Sequence, residues 1–375
     1  MKKSIIYTFF ILILVSTTCY SQVIDTLIDV GGSRLHFNII KGQGIPILFE
    51  SGGGNDGTIW NNILSPLAEI TGTTLITYDR SGLGKSDVDT SKFWILNGIK
   101  ALENGLKKLG YDGNLILVAH SAGGFYSTLY ASRHPANVKA CVFFDINHIS
   151  FFTDDHVRKM LSTDSSEIEH FKNVVWLNTI ATMRKTVFPP DIPTIDLVAE
   201  NTLFNGTPDS ARWHNSHKQF VDGFPDRQSV VAFGCGHYIF LSNPSLAVLA
   251  IIKEYANIAN KPQSDLIIKK GLDYAFYSAN ESRKLQTKYM HSEDDLNSWG
   301  YQLLQKKQIH NAIEIFKLNV SLHPESANAY DSLADGYEAN GDKIHAIENY
   351  KRCLELDPTK KSSLNKLKIL ESRKN

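Results

Sequence analysis

Six short apolar runs, at residues 45–50, 74–78, 115–119, 138–144, 194–199 and 230–233, set the rhythm of the first two thirds of the chain. They scarcely alternate between apolar and polar residues. A strand with one face in water would alternate, so these read as strands covered on both sides. Most are separated by longer stretches whose apolar residues fall at helical spacing, as at 93–109 and 125–132. Covered strands alternating with helices imply an α/β fold with a mostly parallel sheet and helices on both faces. Ahead of them, residues 23–30 and 34–40 flank Gly31, Gly32 and Ser33, the pattern of a β-hairpin with a glycine turn.

The rest of the 375 residues adds pieces to this core. At the N-terminus, Lys2 and Lys3, an apolar run and the small residues around Cys19 and Ser21 have the form of a secretory signal. Cleavage after Ser21 is expected, giving a secreted or periplasmic protein with no stable membrane span. The α/β core then extends over residues 22–258. Between the fourth and fifth apolar runs lie about 48 residues rich in charge and aromatics. An excursion of that length reads as a lid, over about 148–190. A helical linker is expected at 259–295. In residues 296–375 a period of 34 appears: Gly300, Ala312, Phe316 and Pro324 are matched by Ala334, Ala346, Tyr350 and Pro358. That period belongs to tetratricopeptide repeats, here two with a capping helix, which offer a surface for a protein partner.

Composition excludes several functions. Lys plus Arg equals Asp plus Glu, 39 each, so no basic surface calls for nucleic acid. Without the leader only Cys141, Cys235 and Cys353 remain, too scattered for a disulfide framework. No cysteine–histidine cluster has metal-ligand spacing, so neither metal nor cofactor is expected. The sequence DRSGLGKS ends like a phosphate loop, but Asp79 stands five positions before Gly84, where such a loop needs glycine, and its charge would repel phosphate.

The chemistry centres on LILVAHSAGGF. Ser121 stands between an apolar strand and a helix, where a sharp turn can present a nucleophile. Such a turn needs small residues two positions either side. Gly123 meets this, and Ala119 adds one methyl where glycine is usual. His237, in GCGHYIFLSNP, follows the last strand and is the candidate base. In FESGGGND, the glycines let backbone amides approach a substrate, making Gly53 a candidate oxyanion donor beside Ala122.

Taken in order, YDRSGLGKS, VAHSAGG, VFFDINH and GCGHYIFLSNP resemble the α/β-hydrolase superfamily. They are most similar to its branch of prolyl-iminopeptidase-like peptidases and carboxylesterases. The resemblance covers about residues 25–257 and implies a serine hydrolase acting on an ester or peptide bond of a small-molecule or peptide substrate, with Ser121 as nucleophile and His237 as base. The usual His-Gly before the oxyanion loop is Ser51-Gly52, and the usual acid position is Thr202. Two carboxylates remain for that role: Asp145, favoured, and Glu200. These departures leave a second reading open, a catalytically degenerate fold that serves as an interaction module. Asp154 and Asp155 in the lid could receive a substrate amine but read more simply as solvated charges.

Overall fold

The computed structural model describes residues 22–161, 166–284 and 292–372. The expected leader therefore lies outside the described residues. Eight strands form one sheet: β1 (Val23–Asp29), β2 (Arg34–Ile40), β3 (Ile47–Glu50), β4 (Leu75–Tyr78), β5 (Leu115–His120), β6 (Val138–Phe144), β7 (Thr194–Asn201) and β8 (Arg227–Gly236). Their order is β1-β2-β4-β3-β5-β6-β7-β8, and β2 alone runs against its neighbours. The hairpin and the six runs of the sequence are these strands. β3, β4 and β5 are buried at every position, which is why their sequences do not alternate.

Helices α1 (Asn61–Thr71), α2 (Ile95–Leu109) and α3 (Gly123–Arg133) supply the crossovers. α1 and α2 each end on a left-handed glycine, Gly72 and Gly110, whose N–H returns to a carbonyl of the last turn. The excursion after β6 is helical, with α4 (Asp154–Met160) and α5 (Glu167–Met183). α6 (Pro208–Val221) joins β7 to β8, and α7 (Ile239–Ser242) and α8 (Pro244–Ile258) follow the last strand.

A helical region completes the chain: α9 (Lys261–Lys284), α10 (Glu293–Gln305), α11 (Ile309–Leu322), α12 (Ala327–Ala339), α13 (Lys343–Leu356) and α14 (Lys361–Ser372). α10 packs on α11, and α12 on α13. A Cβ at Gly300 would overlap the Phe316 ring, so a small residue is needed there. The counterparts of Gly300, Ala312 and Phe316 one period later, Ala334, Ala346 and Tyr350, are fully buried.

Two apolar cores flank the sheet. One face is covered by α2, α3 and the excursion. The other meets α1 and α8, and its core runs on without a break through α9 into α10, α11 and α12. Cys141, Cys235 and Cys353 are buried free thiols.

Candidate active site

β5 delivers Ser121 to the carboxyl edge of the sheet. Ser121 has φ 52°, a left-handed conformation that costs energy for a non-glycine residue. The turn is pinned to the next strand: Ser121 N–H donates to Phe144 O at 3.2 Å, and Asn147 N–H donates to Ser121 O at 2.9 Å. Packing explains which small residues are obligatory. A Cβ at Gly123 would lie 2.6 Å from the carbonyl oxygens of Glu50 and Ser51, and one at Gly124 would lie 2.5 Å from Ile146. Ala119 is fully buried, its methyl filling core between β5 and the α2–α3 layer. The position asks for smallness, and alanine satisfies it.

Asp145 sits at the end of β6, also left-handed with φ 47°, and is fully buried. Its Oδ1 accepts from Ala199 N–H at 3.0 Å and from the Trp213 indole N–H at 2.8 Å. Its Oδ2 lies 2.6 Å from His237 Nδ1. Three hydrogen-bonding partners fix this carboxylate in place. Glu200, the other candidate, is exposed and accepts from Gly234 N–H at 2.7 Å. It makes no hydrogen bond or ion pair with His237. Thr202 Oγ1 accepts from Phe204 N–H, a loop contact.

His237 follows β8 immediately, and its loop is held by His120, the residue before Ser121. His120 Nε2 lies 3.1 Å from the His237 carbonyl, and the two rings stand 4.5 Å apart. Burial pushes His120 down to about 3. It is therefore neutral at physiological pH and donates from Nε2.

Gly53 and Ala122 face one another: a Cβ at Gly53 would stand 3.6 Å from Ala122 Cβ. Ala122 is the N-cap of α3 and makes no side-chain cap, and among the described residues neither its N–H nor that of Gly53 is taken by an acceptor. Arg80 shapes this loop. Its guanidinium donates to Ser51 O at 2.6 Å and to Gly52 O, and pairs with the buried Glu50. Because a trans peptide sets C=O and N–H in opposite directions, holding Gly52 O on one side turns Gly53 N–H to the other. Gly53, Ala122, Arg80, Phe93, Phe125 and Trp176 line a cavity of about 150 Å³.

Other expectations resolve simply. Asp79 accepts from Gly57 and Lys85 N–H and meets His36 at 2.8 Å, so the DRSGLGKS loop is folded around its own carboxylate. Asp154 pairs with Arg184, and Asp155 with Lys159 and Arg158, all at the surface. Sequence reasoning missed Trp213, His120 and Arg80. It also missed a buried group of His148, Asp196 and His217. Nothing local marks these residues, since each matters through a partner distant in the chain.

The fold is that of the α/β-hydrolases. The family model for the alpha/beta hydrolase fold matches residues 45–175. The uncharacterized protein YqjL of Bacillus subtilis is 24% identical over 232 residues, 59% of this chain and 88% of that protein. A proline iminopeptidase of Saccharolobus solfataricus is 34% identical over 86 residues, 22% of this chain and 27% of that enzyme. Among solved structures, an esterase from Thermogutta terrifontis is 18% identical with a TM-score of 0.45, covering 64% of this chain and all of that one.

Proposed function

We propose that the chain is an exported serine hydrolase cleaving ester or amide bonds through an acyl-enzyme. The observation that carries this is the 2.6 Å contact between His237 Nδ1 and the fully buried Asp145, on the strand end stitched to the left-handed Ser121. In this reading Asp145 accepts Nδ1–H and so leaves Nε2 free to take a proton. Ser121 Oγ attacks the carbonyl carbon as His237 Nε2 removes its proton. The Gly53 and Ala122 N–H groups hold the oxyanion, the first aimed by Arg80. His237 then returns the proton to the departing alcohol or amine. Water, deprotonated by the same imidazole, releases the acid and restores Ser121.

The aromatic cavity beside Gly53 and Ala122 favours an apolar acyl group. The segment carrying Trp176 and Val175 serves as the lid, and the paired helices after residue 292 serve as tetratricopeptide repeats that dock a protein partner. The decisive assay is a panel of p-nitrophenyl esters and aminoacyl amides, together with fluorophosphonate labelling. Wild type is expected to label at Ser121 and turn over an ester; Ser121→Ala is expected to do neither. Turnover undiminished in Ser121→Ala refutes the mechanism, and an unlabelled wild type favours the interaction module.

A further inference from the structure

The cavity beside Gly53 and Ala122 does not end at the aromatic residues that line it. Phe93, Val175 and Trp176 also line a second cavity, of about 420 Å³ against about 150 Å³ for the first. Met160, Leu161, Ile168 and Phe171, from α4, the residue after it, and α5, supply the rest of its apolar wall. The shared residues are braced by other rings. Trp176 stacks on Phe152 with centroids 6.0 Å apart, and Phe93 meets Phe171 at 6.1 Å. Ile168 is 68% exposed and marks the outer rim.

Which half of a substrate this space would hold follows from its lining. The inner cavity is walled by both oxyanion donors and not by His237. The departing group must meet His237 Nε2 to receive its proton, so the inner cavity takes the acyl half. The polar groups along the way are already engaged. Arg80 is held by Glu50 and by the carbonyls of Ser51 and Gly52, and Thr179 Oγ1 donates to Val175 O at 2.9 Å. In the outer cavity Lys172 pairs with Glu169 at 2.6 Å. Among the described residues no carboxylate lines the inner cavity, and Glu50, at the end of β3, is buried against Arg80 and the Tyr78 hydroxyl. An aminoacyl group carries its ammonium two bonds from the carbonyl carbon. It would bury that charge beside the Arg80 guanidinium with no counter-charge.

We infer that the substrate is an ester of an uncharged aliphatic acid longer than about six carbons, and that N-terminal aminoacyl groups are excluded. An apolar cavity of the inner one's size holds about six carbons. A longer chain passes Phe93 and Trp176 into the second cavity, which makes these two residues determinants of chain length. Ester and water give the free acid and the alcohol, as in the acyl-enzyme cycle above.

The inference rests on the hydrolase reading, and its tests separate the two. With full-length protein, kcat/KM for p-nitrophenyl esters from acetate to decanoate is expected to keep rising past the sixth carbon, about fourfold per methylene. A maximum at six carbons or fewer overturns the inference. Lengthening the alcohol of butyrate esters is expected to give no such rise; an equal rise puts the leaving group in the cavities and overturns it as well. The methyl esters of L-leucine and 4-methylpentanoic acid differ only in the amino group. At pH 7 the amine-free ester is expected to be favoured about a hundredfold, and equal rates overturn the exclusion. Ile168→Trp, at the outer rim, is expected to lower the decanoate-to-butyrate ratio about tenfold, while Ile344→Trp, at an exposed position of α13, leaves that ratio in place. An unmoved ratio in Ile168→Trp overturns the role of the outer cavity. Calorimetric titration of decanoate into Ser121→Ala, with and without Ile168→Trp, reads the same cavity without turnover. Binding weakened about tenfold by Ile168→Trp supports the inference, and absence of binding overturns it. If wild type cleaves no ester at all, the hydrolase reading fails while the titration still decides what the cavities hold.

Discussion

The molecule holds two buried carboxylates on neighbouring strands, each joined to imidazole, and they are built for opposite ends. Asp145 ends β6 in a left-handed turn, and its histidine sits in the loop after β8, beside the turn that presents Ser121. Asp196 lies within β7, its register fixed by Phe143, and both its histidines are enclosed. The same chemical pair thus occurs at a strand end, beside the Ser121 turn, and enclosed inside a strand. Position along the strand, rather than residue type, separates the proposed proton-transfer site from an enclosed pair.

The largest break in that comparison is expected from Asp145→Asn. The amide oxygen can still accept from Ala199 and Trp213, but its NH₂ then faces His237 Nδ1 and imposes the wrong tautomer. Loss of kcat by about 10³–10⁴ is expected with the fold retained, as checked by ester hydrolysis and circular dichroism. Asp196→Asn breaks the sealed pair instead. It is expected to cost about 3 kcal/mol of stability in urea unfolding, because two buried imidazole N–H donors lose a carboxylate acceptor. The same variant sharpens the contrast with pH. Asp196 is held below its unfolded value, so its stabilisation is complete above about pH 4 and is lost as pH falls through the folded value. The stability gap between wild type and Asp196→Asn is therefore expected to narrow as unfolding is repeated from pH 5 toward pH 2. Glu200→Gln gives the smallest effect. An exposed side chain that only meets Gly234 N–H is expected to leave kcat within about twofold, whereas a large loss would return Glu200 to the role of acid.

What was legible in the sequence was what local pattern encodes. Uniformly apolar runs marked the strands because both their faces are covered, and the Ser121 turn announced itself through small residues forced by close packing. His237 could be placed because it directly follows a strand. The choice between Asp145 and Glu200 was not legible, because the sequence puts both at ends of adjacent parallel strands. Only the hydrogen bonds from Trp213 and Ala199 and the direction of each side chain separate them. Arg80 was hidden for a similar reason: its effect on Gly53 passes through two carbonyl groups some thirty residues earlier in the chain.

The continuous core beneath β7 and β8 carries a consequence for how the chain can be cut. Leu246 and Leu249 of α8 share one apolar cluster with Leu296 and Trp299 of α10. The seam between sheet and helical tail is therefore an interior rather than a hinge. A stop codon placed ahead of α10 would not release an enzyme and a spare module. It would leave a raw hydrophobic wound along the sheet domain, and the truncated product would be driven to aggregate or be degraded.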